Sequence, residues 1–432
     1  MKNEGKNRRQ LALLLQGQFV TNGGNQVYDV AMLLWIKSLT GSAALMGLAM
    51  LMTNLPQALL APLGGKLSDR FGRVRTMVAA DLASALAAGV VVLSIWSGAD
   101  PLWMIAALCL GNLVLGAAAA CFNPAVLALI PSLVPRDQLE RGNASHQFSR
   151  MGGQVIGQGA GGLLVAALGA AGAFLINSAS FLVSAGTEIW IKDPQKPRPP
   201  SPTGGETKSS LLSETLEMLG KVLREPGLRA LLLYVAAFHL CLSCLPVLLP
   251  FYTEHVLRLP DTWFGFFVAA YTIGIMVGFV VAGRLGAVAR RFRLIAAMGG
   301  VVGVLFGVAA GTSTPTIAWL VCLGIGVGIG VIIVNLMTEL QLRAPEGERG
   351  GIMGAASALG DTSFPLGMAL TGVILDVLAR QEISYALSTR AILAASAAAT
   401  VLVAGSALLG APPPSPAGPC PGEPEPPDER VV

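Results

Sequence analysis

The chain has 432 residues, of which 53% are hydrophobic and 12% are charged, and its mean hydropathy is +0.65. Soluble domains carry about 25% charged residues, so a soluble protein of this composition would expose too much apolar surface. The composition therefore excludes an ordinary soluble protein and indicates an integral membrane protein that is surrounded by the lipid bilayer. The net charge of +4 is small for a chain of this length, and we expect no nucleic-acid partner.

Apolar runs of about 20 residues, the length that a helix needs to cross the hydrocarbon core of a bilayer, recur along the chain. They are too long for strands and show no two-residue alternation. We therefore predict an all-α integral membrane protein with twelve transmembrane helices. The predicted spans are Leu11–Ile36, Ala43–Leu63, Thr76–Ser97, Leu102–Ile130, Phe148–Leu168, Ala171–Ile191, Leu228–Thr253, Thr262–Leu285, Leu294–Gly311, Pro315–Gln341, Gly350–Leu378 and Arg390–Leu409.

The distribution of positive charge predicts the orientation of these spans. If the N-terminus is cytoplasmic, all but four of the 29 Lys and Arg residues fall in cytoplasmic segments. The exceptions are Lys37, Arg258, Arg380 and Arg390. Because cytoplasmic loops carry an excess of Lys and Arg, we predict that both termini are cytoplasmic and that the number of crossings is even.

Short motifs recur in the two parts of the chain. Gly-Lys-Leu at residues 65–67 has a counterpart in Gly-Arg-Leu at residues 283–285, and Arg73 has a counterpart in Arg291. These matches indicate two related halves. The predicted domains are an N-terminal six-helix half at 1–191, a cytoplasmic linker with an amphipathic surface helix at 192–227, a C-terminal six-helix half at 228–410 and a disordered, Pro-rich, acidic tail at 411–432.

A charged stretch separates the second and third predicted spans. Four cations and one anion lie within the ten residues 66–75, and such a segment cannot lie in hydrocarbon, so we predict a tight hairpin at one membrane surface. The stretch also resembles the loop signature of the major facilitator superfamily, Gly-x-Leu-x-Asp-Arg-x-Gly-Arg. The matching residues are Gly65, Asp69, Arg70, Gly72 and Arg73, and Val74 departs from the pattern where a cation is usual.

Further stretches resemble one bacterial branch of that superfamily, the macrolide-efflux and enterobactin-export proteins. They lie at residues 39–43, 129–131, 139–144 and 246–250. The resemblance implies two pseudo-symmetric six-helix halves in a monomer, and transport of a small molecule by alternating access.

In this family the signature loop implies a cytoplasmic latch. Asp69 can lie against the positive N-terminal end of the eleventh span, near Gly350. Arg70 and Arg73 can bind carbonyl or acidic groups across the interface between the halves. The alternative is that the loop cations only set the orientation of the chain.

The fifth span resembles the antiporter pattern Gly-x-x-x-Gly-Pro-x-x-Gly-Gly. The corresponding residues are Gly153, Gly157, Gln158, Gly161 and Gly162, with Gln158 in the place of the proline. Small residues four apart let two helix backbones approach closely, so the pattern favours an exporter that relies on close packing and lacks the proline kink. Generic helix packing is the alternative interpretation.

Polar residues inside the spans are the candidates for coupling and for a substrate cavity, because a charge at mid-helix costs about 2.5–3.5 kcal/mol. Asp29 lies in the first span near Asn22 and Asn25, while His239 lies in the seventh span and Asp361 in the eleventh. Each could carry a proton or contact substrate. The alternatives are a buried, hydrogen-bonded Asp that fixes packing and a core histidine.

Three further acids lie close to the cytoplasmic ends of the predicted spans. These residues are Asp81, Glu188 and Glu339. We expect them to pair with arginines of the nearby loops, and a functional role is the alternative.

The energy source and the function class follow by elimination. The chain has no Gly-x-x-x-x-Gly-Lys-Ser/Thr phosphate loop, so ATP is not the fuel. Its three His residues form no recognisable catalytic triad or metal set, and we expect a non-enzyme without cofactor or metal. The working hypothesis is a proton-coupled exporter of amphipathic small molecules in the cell membrane. A nutrient importer or facilitator and a non-transporting membrane sensor or scaffold are the alternatives.

Overall fold

The computed structural model describes residues 2–134, 139–192, 225–285, 291–343 and 349–409, and this part of the chain contains no strand. A π-helical turn, Tyr252–Val256, follows directly on the seventh α-helix. The α-helices are α1 (Lys2–Thr40), α2 (Ala43–Phe71), α3 (Arg73–Trp96), α4 (Pro101–Leu133), α5 (Leu139–Glu188), α6 (Pro226–Leu242), α7 (Cys244–Phe251), α8 (Thr262–Leu285), α9 (Arg291–Gly311), α10 (Pro315–Arg343), α11 (Arg349–Arg380) and α12 (Tyr385–Leu409).

Ten helical segments of the described part are long and apolar enough to cross a membrane. Helix α1 is not among them, because amide side chains and Asp29 interrupt its apolar residues. The all-helical membrane fold is therefore confirmed, whereas the twelve crossings and the cytoplasmic termini stay predictions.

Helix α5 contains two of the predicted spans. Its 50 residues would extend about 75 Å as one helix, which is more than twice the roughly 30 Å of a hydrocarbon core. The helix is interrupted at Gly169, whose φ of 70° and ψ of 175° are not helical. Glycine adopts such a positive φ without steric cost, and the predicted spans Phe148–Leu168 and Ala171–Ile191 meet at this residue.

The packing of the helices is repeated along the chain. Helix α1 packs on α5, α2 packs on α4, and α3 packs on both α4 and α5. In the second part of the chain, α6 packs on α11, α8 packs on α10, and α9 packs on both α10 and α12. Helix α5 contains the predicted fifth and sixth spans, and α6 with α7 forms the predicted seventh. Adding six to each span number in the first group of helix pairs therefore gives the second group.

We call α1–α5 the first helix set and α6–α12 the second. The domain boundaries at 191 and 228 stay predictions. The predicted surface helix of the linker and the predicted tail lie outside the described residues.

The two helix sets meet through α2 against α11 and α5 against α8. Glycines lie at both contacts. A Cβ atom on Gly47 would collide with the backbone of Ala369, and one on Gly162 would collide with the backbone of Thr262. The missing side chains thus let the two sets approach at backbone distance.

The glycines of the fifth span face two different helices. Gly153 and Gly157 lie against the backbone of α1 at Phe19 and Gly23, while Gly162 faces α8. This geometry agrees with close packing as the physical role of the pattern.

Substitutions at two neighbouring glycines of α5 test this packing. A Cβ at position 157 meets the carbonyl of Gly23, which belongs to backbone and cannot rotate away, whereas one at position 159 meets only the Cβ of Ala269 at 3.8 Å. We expect Gly157→Ala to reduce stability by about 1–3 kcal/mol through overpacking and Gly159→Ala to cause no loss. Thermal unfolding of both variants in detergent measures the difference, and equal midpoints would contradict the packing geometry.

Candidate functional site

A polar cavity of about 730 Å³ lies among the helices of the first set. Amide, carboxyl and guanidinium side chains dominate its wall, and the predicted candidates Asn22, Asn25 and Asp29 lie in it together. The polar residues of the wall include Gln18, Thr21, Asn22, Asn25, Gln26, Asp29, Asn54, Gln57, Asp81, Asn123, His146, Gln147, Arg150 and Gln154.

Asp29 is the first acid of this wall, and a short chain of amides holds it. Gln26 Nε2 donates to Asp29 Oδ2 at 3.3 Å, and Gln158 Nε2 donates to Gln26 Oε1 at 2.7 Å. Gln158 therefore does more than replace the proline of the antiporter pattern, because it links α5 to the carboxylate on α1. One signal of this role is present in the sequence: Gln158 has an amide side chain where the antiporter pattern has proline.

A buried hydrogen-bond network fixes the rotation of α1. Tyr28 OH donates to Asn112 Oδ1 at 2.7 Å, and Asn112 Nδ2 donates to the carbonyl of Ala49 at 2.9 Å. Asn112 is fully buried. The network joins α1, α4 and α2, and it holds Tyr28 in the position that leaves its neighbour Asp29 at the cavity.

A second cavity of about 280 Å³ is apolar and aromatic. Tyr234, Phe238 and His239 of α6 and Phe364 of α11 line it, together with Asn54 of α2. Since Asn54 also lines the polar cavity, the two cavities meet at this residue. Asn54 thus stands between a polar cavity of the first helix set and an aromatic cavity that is lined mainly by the second set.

The predicted candidates of the second helix set lie at this aromatic wall. His239 Nδ1 donates to the carbonyl of Val235 at 2.8 Å, and its ring stands edge-on to Phe364 at 6.3 Å between centroids. The backbone of Asp361 lies in α11 next to Gly360, which lines the aromatic cavity. The side chain of Asp361 lies outside the described part.

The three acids that we expected to pair with loop arginines behave differently from one another. Glu339 Oε1 pairs with Arg343 Nε at 2.8 Å. In contrast, Asp81 and Glu188 are 2% and 0% exposed, and one oxygen of each has no hydrogen-bond partner. The expectation is wrong for these two, because they are enclosed where α3 packs on α5 and neither forms an ion pair with a described arginine.

Lys37 joins the two helix sets at one end of the molecule. Its Nζ lies 2.9 Å from Asp261 Oδ1 and 2.5 Å from Glu254 Oε2. It also donates to the carbonyl of Pro250 at 3.1 Å and stands over the ring of Phe251 at 5.7 Å. The ammonium group is thus almost completely enclosed by residues of the second set.

Asp376 makes a second connection at the same end. It accepts hydrogen bonds from Ser42 Oγ at 2.6 Å, from Ala43 N at 2.8 Å and from Ala44 N at 3.1 Å. These amides form the N-terminus of α2, where unpaired N–H groups and the helix dipole favour an anion. We call this end of the molecule, with Lys37, Asp261, Ser42 and Asp376, the Lys37 end. Sequence reasoning did not identify any of these contacts.

The signature loop lies at the opposite end of α2. Gly72, with a φ of 93°, ends α2 and precedes α3, so the glycine of the signature has a conformational reason. Lys66 and Arg70 are exposed, and the Arg70 guanidinium stands over the Phe71 ring at 5.4 Å. The side chains of Asp69 and of the residues around Gly350 lie outside the described part, and the predicted latch stays a prediction.

Comparison with known proteins agrees with this architecture. The sequence model of the Major Facilitator Superfamily matches residues 14–368. The multidrug efflux pump Tap of Mycolicibacterium fortuitum is 26% identical over 392 residues, which cover 88% of this chain and 93% of Tap. The enterobactin exporter EntS of Shigella boydii serotype 4 is 29% identical over 357 residues, covering 79% of this chain and 80% of EntS.

A shorter similarity and a solved structure complete the comparison. Macrolide efflux protein A of Streptococcus pyogenes is 31% identical over 125 residues, which cover 29% of this chain and 30% of that protein. A bacterial homologue of the human lysosomal transporter Spinster, solved in an inward-facing and unoccupied conformation, has a TM-score of 0.71 at 15% identity and covers 94% of this chain and 96% of its own. The predicted resemblance is thereby confirmed, and the chain belongs to the Major Facilitator Superfamily.

Proposed function

We propose that this protein is a proton-coupled exporter of amphipathic small molecules that works by alternating access in the cell membrane, with twelve crossings and both termini in the cytoplasm. The observation that carries the proposal is the meeting of a polar and an aromatic cavity at Asn54. The similarity to a multidrug efflux pump, a macrolide efflux protein and an enterobactin exporter supports export over import.

The chemistry of the two walls suits an amphipathic substrate. The polar wall offers the carboxylate of Asp29 and amides such as Asn22 and Asn25 to a hydrogen-bonding or cationic part of the molecule. The aromatic wall, with Phe238 and Phe364, offers contacts to its apolar part. The polar cavity of about 730 Å³ lies in the range that binds small organic molecules, roughly 300–1,000 Å³, and the aromatic cavity adds about 280 Å³.

The conformation supports access from the side of the signature loop. The connections at the Lys37 end close that side, while the polar cavity reaches His146 and Arg150 near the opposite ends of the helices. With the predicted orientation this is the state open to the cytoplasm. Substrate would leave after the contacts of Lys37 and Asp376 break and the signature loop closes the cytoplasmic side.

The energies involved permit such a switch. A partly exposed ion pair contributes up to about 1 kcal/mol, and an acid at a helix N-terminus contributes about 0.3–1 kcal/mol. One charge that moves through a potential of 100 mV provides about 2.3 kcal/mol. Proton movement and substrate binding together can therefore reverse the balance between the two ends.

Substitution of Asp29 tests the coupling. We expect cells that contain the wild-type chain to accumulate less radiolabelled erythromycin and less ethidium, and a protonophore to abolish the difference. Asp29→Asn should lose the protonophore-sensitive efflux at unchanged abundance in the membrane, because the amide cannot exchange a proton. Asp361→Asn is measured in parallel.

The matched control is Asp100→Asn at an exposed helix N-terminus, where Asp100 Oδ1 accepts from Leu102 N and an amide oxygen can do the same. It should retain full efflux. Full activity in both Asp29→Asn and Asp361→Asn would contradict the proton role. Depletion of the labelled solute from inside-out vesicles would indicate import.

Substitution of Lys37 tests the closure of the Lys37 end. In a chain whose six native cysteines are replaced by alanine, a cysteine is introduced by Asn54→Cys at the junction of the cavities. Lys37→Met should increase the rate of labelling by an impermeant maleimide added outside intact cells by about fivefold, corresponding to roughly 1 kcal/mol. Lys66→Met, at an exposed lysine of the opposite end, is the control and should leave the rate unchanged. A rate unaffected by Lys37→Met would argue against the ion pairs as a closure.

A further inference from the structure

Two carboxyl groups interact inside the first helix set, away from Asp29. Asp81 of α3 and Glu188 of α5 are charged neighbours across the contact between these helices. The hydroxyl of Ser184 donates to Glu188 Oε1 at 3.3 Å and lies beside Asp81. Ser184 is fully buried, so one enclosed hydroxyl connects the two acids.

The pair is buried but connected to the cavity on one side. Asp81 is 2% exposed and lines the polar cavity, whereas Glu188 is 0% exposed and does not line it. Asp81 Oδ2 and Glu188 Oε2 have no hydrogen-bond partner. Buried polar atoms in native proteins are almost always satisfied, so these two oxygens need a partner that the surrounding side chains do not supply.

The same region of the cavity wall contains two more buried polar atoms without a partner, Gln18 Nε2 and Thr21 Oγ1. Both residues are about 95% buried and both belong to α1. At Gly17, close to them in sequence, α1 also lies directly against Ser184 Oγ. The unsatisfied atoms therefore lie where α1 and α3 each pack on α5, and a group of buried polar atoms without partners favours a polar ligand at this place.

No cation of the described part neutralises the pair. Among the described side chains, neither carboxylate forms an ion pair within 4.0 Å with Lys, Arg or His. Besides Asp81, the titratable side chains that line the same cavity are Tyr28 and Asp29 of α1 and His146 and Arg150 of α5. Two buried carboxylates that lie close together without a counter-charge repel each other in a medium of low dielectric constant, and such pairs can share a proton.

We propose that Asp81 and Glu188 share one proton and form a proton-exchange site of the transporter, with Ser184 as the link between them. In the loaded state one carboxyl carries the proton as an O–H and is neutral, while the other is ionised. On release, this O–H bond breaks at Asp81, the proton passes to water in the cavity, and both groups are ionised. The inference rests on the proposed function for its biological meaning, but the shared proton itself does not depend on the substrate.

Infrared spectroscopy tests the shared proton directly. The full-length chain is purified in lipid nanodiscs and its protonated carboxyl C=O band is followed as the pH is changed from acid to alkaline. We expect the loss of one carboxyl component of the band in both Asp81→Asn and Glu188→Gln. Glu339→Gln is the matched control, because this buried acid is paired with Arg343 and should contribute nothing to the band. A band that is unchanged in both Asp81→Asn and Glu188→Gln would overturn the proposal.

Transport by the same variants, reconstituted in proteoliposomes, tests the role in coupling. Counterflow of radiolabelled erythromycin, with substrate on both sides, needs no net proton movement, whereas accumulation against a gradient does. One exchanged proton gives about tenfold accumulation per pH unit. We expect Asp81→Asn and Glu188→Gln to keep counterflow and to lose the accumulation that a pH gradient drives, while Asp100→Asn keeps both.

Each remaining outcome decides one of the two proposals. Accumulation that persists in both variants overturns the exchange site and leaves the exporter proposal intact. Accumulation in the wild type that follows a Na⁺ gradient and ignores pH overturns both the site and proton coupling. If the wild type shows no counterflow, the exporter proposal fails for this probe, and the infrared band still decides whether the pair holds a proton.

Discussion

The absence of water from most of a membrane protein constrains every polar side chain of this chain. A polar group in such an interior needs a partner in the protein or a place at a water-filled cavity. Asn112 takes the first solution, with donors and acceptors on three helices. Asp29 takes the second, at the wall of the polar cavity. The distribution of polar residues therefore defines where the molecule can admit water and substrate.

The same constraint explains why the two helix sets use different contacts at their interface. Helix faces of the two sets touch through glycines, such as Gly47 and Gly162, which need no polar partner. At the Lys37 end, which is partly exposed, polar groups lose less hydration when they form contacts. An ion pair and hydrogen bonds to a helix N-terminus connect the sets there. Contacts of the second kind depend on charge and water, so they can break and form during transport.

Much of the fold follows from the sequence, because the length of an apolar run is a local property. The predicted eighth span coincides with α8, and the predicted boundary between the fifth and sixth spans coincides with the break at Gly169. Asp29, Asn22 and Asn25 were recognised as cavity candidates because they stand on one otherwise apolar helix. Helix α1 also shows the limit of a hydropathy criterion. Its polar side chains lower its mean hydropathy, so it is not among the segments that are apolar enough to cross a membrane.

The features that sequence reasoning missed all join residues that are distant in the chain. Gln158 reaches Gln26, and Asp376 reaches the start of α2, only after the helices have packed. In the sequence, Asp81 and Glu188 are two separate acids near the ends of predicted spans. Only the packing of α3 on α5 shows that they are enclosed together. No periodicity or local motif contains this information.

The central claim is that the Lys37 end and the signature-loop end open alternately around one cavity. Distances between spin labels measure this most directly, with one pair at the exposed residues Ser38 and Arg258 and the other at the exposed residues Arg75 and Arg284. On addition of erythromycin and a change of pH, the account predicts that the first distance lengthens in the same molecules in which the second shortens. Two distances that lengthen together, or that both stay fixed while transport proceeds, would contradict it.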